Sequence, residues 1–176
     1  MADPATKEIS WYSPDPRAII PLHEFKIART VRQIVRRQVF AVRIDSSFDQ
    51  VIRGCADRQE TWISSEIIKA YCDLHAKGFA HSVESWYEGR LAGGLYGVAI
   101  GGAFFGESMF TRVANASSVA LVHLVNNLRG RHFQLLDTQF LNPHIARFGA
   151  REIPRATYLK LLDRALEVIT SFVDPV

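Results

Sequence analysis

The stretch GGLYGVAIGGAFFGESMF, Gly93 to Phe110, constrains the fold more than any other part of the chain. Gly93, Gly94, Gly97, Gly101, Gly102 and Gly106 are interleaved with Leu95, Tyr96, Val98, Ile100, Phe104, Phe105, Met109 and Phe110, and no charge precedes Glu107. Glycine weakens a strand interior, so it is kept where the chain bends or something approaches the backbone closely. The uncharged run Leu91–Gly106 is too short and too glycine-rich to cross a bilayer. It reads as the wall of a binding site ending in one carboxylate. Upstream, His81 to Tyr87 reads as a strand. Glu88-Gly89-Arg90 is a turn into a second strand, Leu91 to Ile100, and Gly101-Gly102 is a turn into Ala103 to Phe105. An antiparallel meander is therefore expected at the centre.

The flanks carry helical periodicity. Ala28 to Gln38 places Val31, Ile34 and Val35 on one stripe and Arg29, Arg32 and Arg36 on another side. Val39 to Ile44 reads as a strand. Ser46 can cap a helix in which Phe48, Val51, Ile52 and Cys55 share a face. Asp57 to Trp62 is a polar loop ending in an aromatic. Ser65 to Lys77 is a helix that Gly78 can stop. Ala116 to Leu128 is a helix that Asn115 or Ser117 can cap, and Phe133 to Phe140 is a strand. Asn142 and Pro143 start a short helix to about Phe148. Pro154 fits the first position of a last helix carrying Tyr158, Leu161, Leu162, Ala165 and Ile169. Before all of these, Pro14, Pro16 and Pro21 force Ser10 to Leu22 into an extended, turn-punctuated segment in which Trp11 and Tyr12 supply something to bury. The expected class is α/β (α+β), with helices flanking a largely antiparallel sheet.

At 176 residues the chain is long enough for one sizeable core. Its net charge of +3 is uneven. Lys26, Arg29, Arg32, Arg36, Arg37 and Arg43 follow one another without an acidic residue between them, as a solvated helix face or a phosphate-contacting surface. Cys55 and Cys72 match no metal or redox spacing and read as buried free thiols of a reducing cytosol. MADPATKEIS is polar and lacks a signal-peptide core, so a cytoplasmic location is expected.

Three residues invite chemistry. Asp137 and Gln139 fall two apart on a strand and so share a face. They are either a satisfied polar pair at a strand end or a pair that orients an attacking amine or water. Glu107, just past the glycine-rich strand, is a turn carboxylate or a third member of that group. The six histidines form no metal-ligand spacing, and no phosphate loop or nucleophile elbow is present. An enzyme of this kind is expected to need no metal or other cofactor and to act by positioning and electrostatics.

W-Y-S-P-D-P-R (Trp11 to Arg17), A-H-S-V-E (Ala80 to Glu84), G-G-L-Y-G-V (Gly93 to Val98), F-F-G-E-S-M-F (Phe104 to Phe110), N-A-S (Asn115 to Ser117), L-D-T-Q-F-L-N-P-H (Leu136 to His144) and G-A-R-E-I-P-R (Gly149 to Arg155) occur in that order. In this combination the chain closely resembles the bacterial leucyl/phenylalanyl-tRNA–protein transferases, from Trp11 to about Leu162. The resemblance implies an acetyltransferase-like (GNAT-like) domain over 46–176, with residues 1–45 as an N-terminal segment packed on it. It implies transfer of Leu or Phe from aminoacyl-tRNA to the N-terminal Arg or Lys of acceptor proteins, which marks them for degradation by the N-end rule. A monomer without a membrane partner is expected.

The resemblance also distributes roles. Trp62, Leu95, Phe104 and Leu124 would line the aminoacyl side-chain pocket, with Leu95 and Leu124 standing where some relatives carry Met or Phe. Glu107, Asp137 and Gln139 would be the polar catalytic group, with Glu107 holding a substrate ammonium group. Arg29, Arg32, Arg36 and Arg37 would contact tRNA phosphates, Gln33 replacing a basic residue. Relatives usually carry a further N-terminal segment with a G-x-F-P motif, whereas here Met1 stands almost at the W-Y-S-P-D-P-R motif. Two rivals are an acyl-CoA-dependent acyltransferase of the same fold and a non-catalytic tRNA-binding module. The first predicts a glycine-containing pyrophosphate loop, which Arg112 to Ser117 lacks. The second predicts no apolar pocket.

Overall fold

A computed structural model describes residues 12–174 of the chain. The glycine-rich stretch forms two adjacent strands, β4 (Arg90–Ile100) and β5 (Ala103–Thr111), inside a seven-stranded sheet. The other strands are β1 (Arg17–Ile19), β2 (Ala41–Ile44), β3 (Ala80–Tyr87), β6 (Leu135–Gln139) and β7 (Arg151–Ile153), in the order β2-β3-β4-β5-β6-β1-β7. Every neighbouring pair is antiparallel except β5–β6. The expected meander is β3-β4-β5, turning through Glu88 and Gly89, both at positive φ. The helices are α1 (Arg29–Arg36), α2 (Phe48–Ala56), α3 (Ser65–Ala76), α4 (Ala116–Gly130), α5 (Pro143–Ala146) and α6 (Arg155–Leu166). The α/β expectation, helices flanking a mixed and largely antiparallel sheet, holds.

Strand alternation sorts the core into layers. Val83, Leu95, Phe104 and Leu136 face α4 and pack with Leu121, Leu124 and Leu128. From the same strands, Ala80, Tyr96 and Phe110 pack with Val51, Ile52, Cys55 and Ile67 of α2 and α3. Ala103 and Leu135 pack with Tyr158 and Ala165 of α6.

The glycines of β4 serve this packing. A Cβ at Gly93 would lie 2.7 Å from the Ala116 Cβ of α4, and one at Gly97 would run into the Phe104 ring. Among the β4–β5 glycines, Gly106 borders the cavity described below.

Several local expectations change. β5 runs on to Thr111, so Glu107 lies within a strand. Ser47, not Ser46, stands at the N-cap of α2, without a side-chain cap bond, and its N–H donates to the buried carboxylate of Glu84 at 2.7 Å. Neither Asn115 nor Ser117 caps α4 with its side chain; the Ser117 N–H donates instead to Thr111 Oγ1 at 3.0 Å. Pro154 precedes α6, whose first N–H, on Arg155, donates to Asp15 Oδ1 at 3.0 Å. Asp15 is thus a cap supplied from the proline-rich segment. Ile169 lies beyond α6 and is exposed, and the buried apolar residue there is Phe172, stacked on Phe104. Tyr12 is exposed, and Trp11 lies outside the described residues. Cys55 is buried but Cys72 is half-buried. Among the described residues no helix is long and apolar enough to cross a membrane.

Candidate active site

β5 and β6 pair only through Ala103–Leu135, Phe104–Leu136 and Phe105–Asp137. Beyond these positions the two strands no longer pair with each other, and a cavity of about 340 Å3 opens between them. That is within the range of roughly 300–1,000 Å3 usual for small-ligand sites. Because no sheet closes the gap, the cavity draws walls from both faces. Leu95, Leu121, Leu124 and Leu136 come from the α4 side, while Trp62 and Tyr96 come from the α2–α3 side.

Glu107 enters this cavity through an irregularity in register. Gly97 pairs with Gly106 and Tyr96 with Ser108, so Glu107 is the extra residue of a β-bulge. A bulge re-aims a side chain that regular alternation would have placed elsewhere. Burial pushes the Glu107 carboxyl above the usual carboxylate range, and the nearby Asp137 charge pushes the same way, while a hydrogen bond from Tyr71 partly offsets both. Gln139 ends β6 in the left-handed region, at φ 57°, and its Nε2 lies 3.5 Å from Glu107 Oε1.

Asp137 is fully buried and does not line the cavity. Its carboxylate accepts from Arg17 of β1 (Nη2 at 2.5 Å, Nε at 3.0 Å), from Tyr158 Oη of α6 at 2.8 Å and from the Gln139 N–H at 2.8 Å. Surrounded by donors, Asp137 ties together β1, α6 and the end of β6. Burial next to this charge pushes the Tyr158 hydroxyl well above its ordinary range.

The structure thus brings together Glu107 and Gln139, with Asp137 behind them, and Trp62, Leu95 and Leu124 in the cavity wall. It separates Phe104, which is fully buried and stacks on Phe172 with ring centroids 5.1 Å apart, outside the cavity lining. Arg29, Arg32, Arg36 and Arg37 are exposed on and just after α1, and none lines the cavity.

Sequence reasoning missed Tyr96, Thr138 and His144. All three line the cavity, and each has a buried side-chain polar atom with no partner among the described residues: Tyr96 Oη, Thr138 Oγ1 and His144 Nε2. Orphaned buried polar atoms are rare and call for an explanation; three around one cavity suit a polar substrate. No spacing in the sequence marks them, since their convergence depends on the parting of two strands. Among the described residues no group of three or more His, Cys, Asp or Glu is placed to hold a metal ion.

Comparison with known proteins agrees with the motifs. A family model described as leucyl/phenylalanyl-tRNA protein transferase matches residues 19–163. A leucyl/phenylalanyl-tRNA–protein transferase of Herpetosiphon aurantiacus is 54% identical over 166 residues, covering 94% of this chain and 87% of that protein. One of Salinibacter ruber is 55% identical over 168 residues, covering 96% and 74%. Among solved structures, L-PGS from Bacillus licheniformis matches only distantly, at TM-score 0.45 and 14% identity, over 75% of this chain and 50% of that one. By family model and by relatives alike, the chain belongs to the leucyl/phenylalanyl-tRNA protein transferase family, aminoacyltransferases that carry Leu or Phe from aminoacyl-tRNA to protein.

Proposed function

We propose that the cavity between β5 and β6 receives the Leu or Phe side chain of the aminoacyl-tRNA, and that the acceptor is a protein beginning with Arg or Lys. The observation that carries this is the pairing, in one cavity lining, of an apolar wall (Leu95, Leu121, Leu124, Leu136) with the bulged carboxylate Glu107. Such a wall excludes charged side chains by their desolvation cost, yet separates Leu from Phe only modestly. Glu107 offers a counter-charge to the cationic acceptor. The amide of Gln139 orients the attacking amine but cannot take its proton, because an amide is not a base. Asp137 is a positioning residue, acting through the Gln139 backbone. The arginines of α1 contact tRNA phosphates, so α1 is the RNA-facing element of a catalytic domain whose sheet includes β1 and β2. The protein works as a monomer in the cytoplasm, and its products are marked for degradation by the N-end rule.

Radiolabelled Leu transfer from charged tRNA tests the reading. A peptide starting with Arg should be labelled and the same peptide starting with Ala should not. Equal labelling of both would refute the acceptor assignment, and equal binding of charged and uncharged tRNA would refute the side-chain pocket.

A further inference from the structure

A second cavity, of about 360 Å3, adjoins the first, and the two share Arg58, Met109 and His144. Its charge is different. Arg58 and Arg112 line it together with one carboxylate, Asp57, and the first turn of α4 contributes Ser117. Arg58 is held in place by donating to Ser108 Oγ and to the Met109 carbonyl on β5. Arg112 lies over the Phe110 ring at 5.2 Å and makes no ion pair among the described residues. At His144, Arg147 Nη2 lies 2.9 Å from Nδ1. A guanidinium can only donate, so Nδ1 accepts, and the neutral ring carries its proton on Nε2, which is buried without a partner among the described residues. Burial and Arg147 both lower the affinity of this ring for a second proton.

We propose that the second cavity is the subsite for the phosphodiester joining the terminal adenosine of the donor tRNA to the preceding nucleotide, with Arg58 and Arg112 as its cationic ligands and the His144 Nε2–H as a neutral donor. The proposal rests on the reading that the first cavity holds the aminoacyl side chain. That side chain and the phosphodiester belong to the same terminal residue, linked through one ester and one ribose, so the phosphate must lie beside the first cavity. Two guanidiniums match phosphate in charge and in fork geometry, and the positive end of the α4 dipole adds to them. The alternative occupant, an acceptor beginning with Arg or Lys, brings an α-ammonium and a second cation. The two arginines repel these, whereas Glu107 at the first cavity attracts them.

Binding of adenosine and of adenosine 5′-monophosphate to the intact chain tests this, because the 5′-phosphate occupies the position at which the preceding nucleotide joins. The wild-type protein should bind the monophosphate roughly tenfold more tightly, the size of one charge-assisted hydrogen bond. Arg112→Ala should erase the preference and Arg112→Lys should keep part of it, while adenosine affinity and circular dichroism report that the variants are folded. The proposal is overturned if the wild type shows no preference, or if Arg112→Ala keeps it. A third arm compares Arg-peptides with Glu or Gln at the second position. If Arg112→Ala removes a preference for Glu and leaves the nucleotide preference intact, the cavity serves the protein acceptor and the proposal also fails. These bindings need no transfer reaction, so failure to label an Arg-peptide would refute the function proposed above without touching this subsite.

Discussion

Replacing Asp137 by Ala and, separately, by Asn distinguishes a carboxylate that positions from one that takes a proton. In Asp137→Ala all the donors now satisfied by the carboxylate lose it, including the Gln139 N–H that holds Gln139 at φ 57°. Gln139 is then free to leave Glu107, and transfer to an Arg-peptide should fall by roughly tenfold or more, as misplacement of a reacting group costs. In Asp137→Asn, Oδ1 still accepts from Gln139, and Tyr158 can turn to accept from the new amide. Arg17 fares worse: its Nη2, now 2.5 Å from a carboxylate oxygen, faces an NH2 group, and the Arg17 side chain is only 14% exposed. Breaking a buried pair on one side costs about 3–5 kcal/mol. For a chain of this length each kcal/mol lowers Tm by about 2–4 °C, so a fall of roughly 6–20 °C is expected. Urea denaturation and thermal melts measure the stability, and transfer is measured well below the lowered Tm. There the folded Asn variant should retain several-fold more activity than the Ala variant. If both are folded and equally inactive, the charge itself acts in the reaction and the positioning argument is wrong. A stability loss below about 1 kcal/mol in the Asn variant would refute the account of the Arg17 pair.

Three other expectations are simpler to check. Burial, reinforced by Asp137, raises the Glu107 carboxyl above its unfolded value, so the folded chain holds this proton to a higher pH than the unfolded chain does. Stability should therefore fall as pH rises through that window, while KM for an Arg-peptide should rise as pH drops through it; Glu107→Gln should flatten both profiles, and unchanged profiles would clear Glu107 of the role. If α1 contacts phosphates, tRNA affinity should fall steeply with salt, and Arg29→Ala with Arg36→Ala should make the log–log slope shallower by about 0.7–0.9 for each phosphate no longer neutralised; an unchanged slope would remove α1 from the RNA path. Burial pushes the Cys55 thiol up to about 12, so a thiol reagent at neutral pH should label Cys72 in the native protein and reach Cys55 only after denaturation.

Short-range pattern was enough to establish the meander, the basic helix and the family, and to offer candidate residues for the site. Gly101-Gly102 and Glu88-Gly89 mark turns, Arg29, Arg32 and Arg36 repeat at helical spacing, and ordered motifs identify relatives. Asp137 and Gln139 were visible as candidates for the same reason. The surroundings of Asp137 were not, since its partners Arg17 and Tyr158 lie 120 and 21 residues away in the chain. Likewise the glycines of β4 advertised a close approach without saying what approaches; the neighbours are Ala116 and Phe104. Phe104 shows the same limit, because nothing in FFGES tells that its ring turns to Phe172. That β5 and β6 pair for three positions and then part is a property of the assembled sheet alone. The parting makes the cavity, and a one-residue bulge puts Glu107 into it. Both are matters of register between segments distant in sequence, where a shift of one residue exchanges the faces of a strand, and local pattern holds no record of that choice.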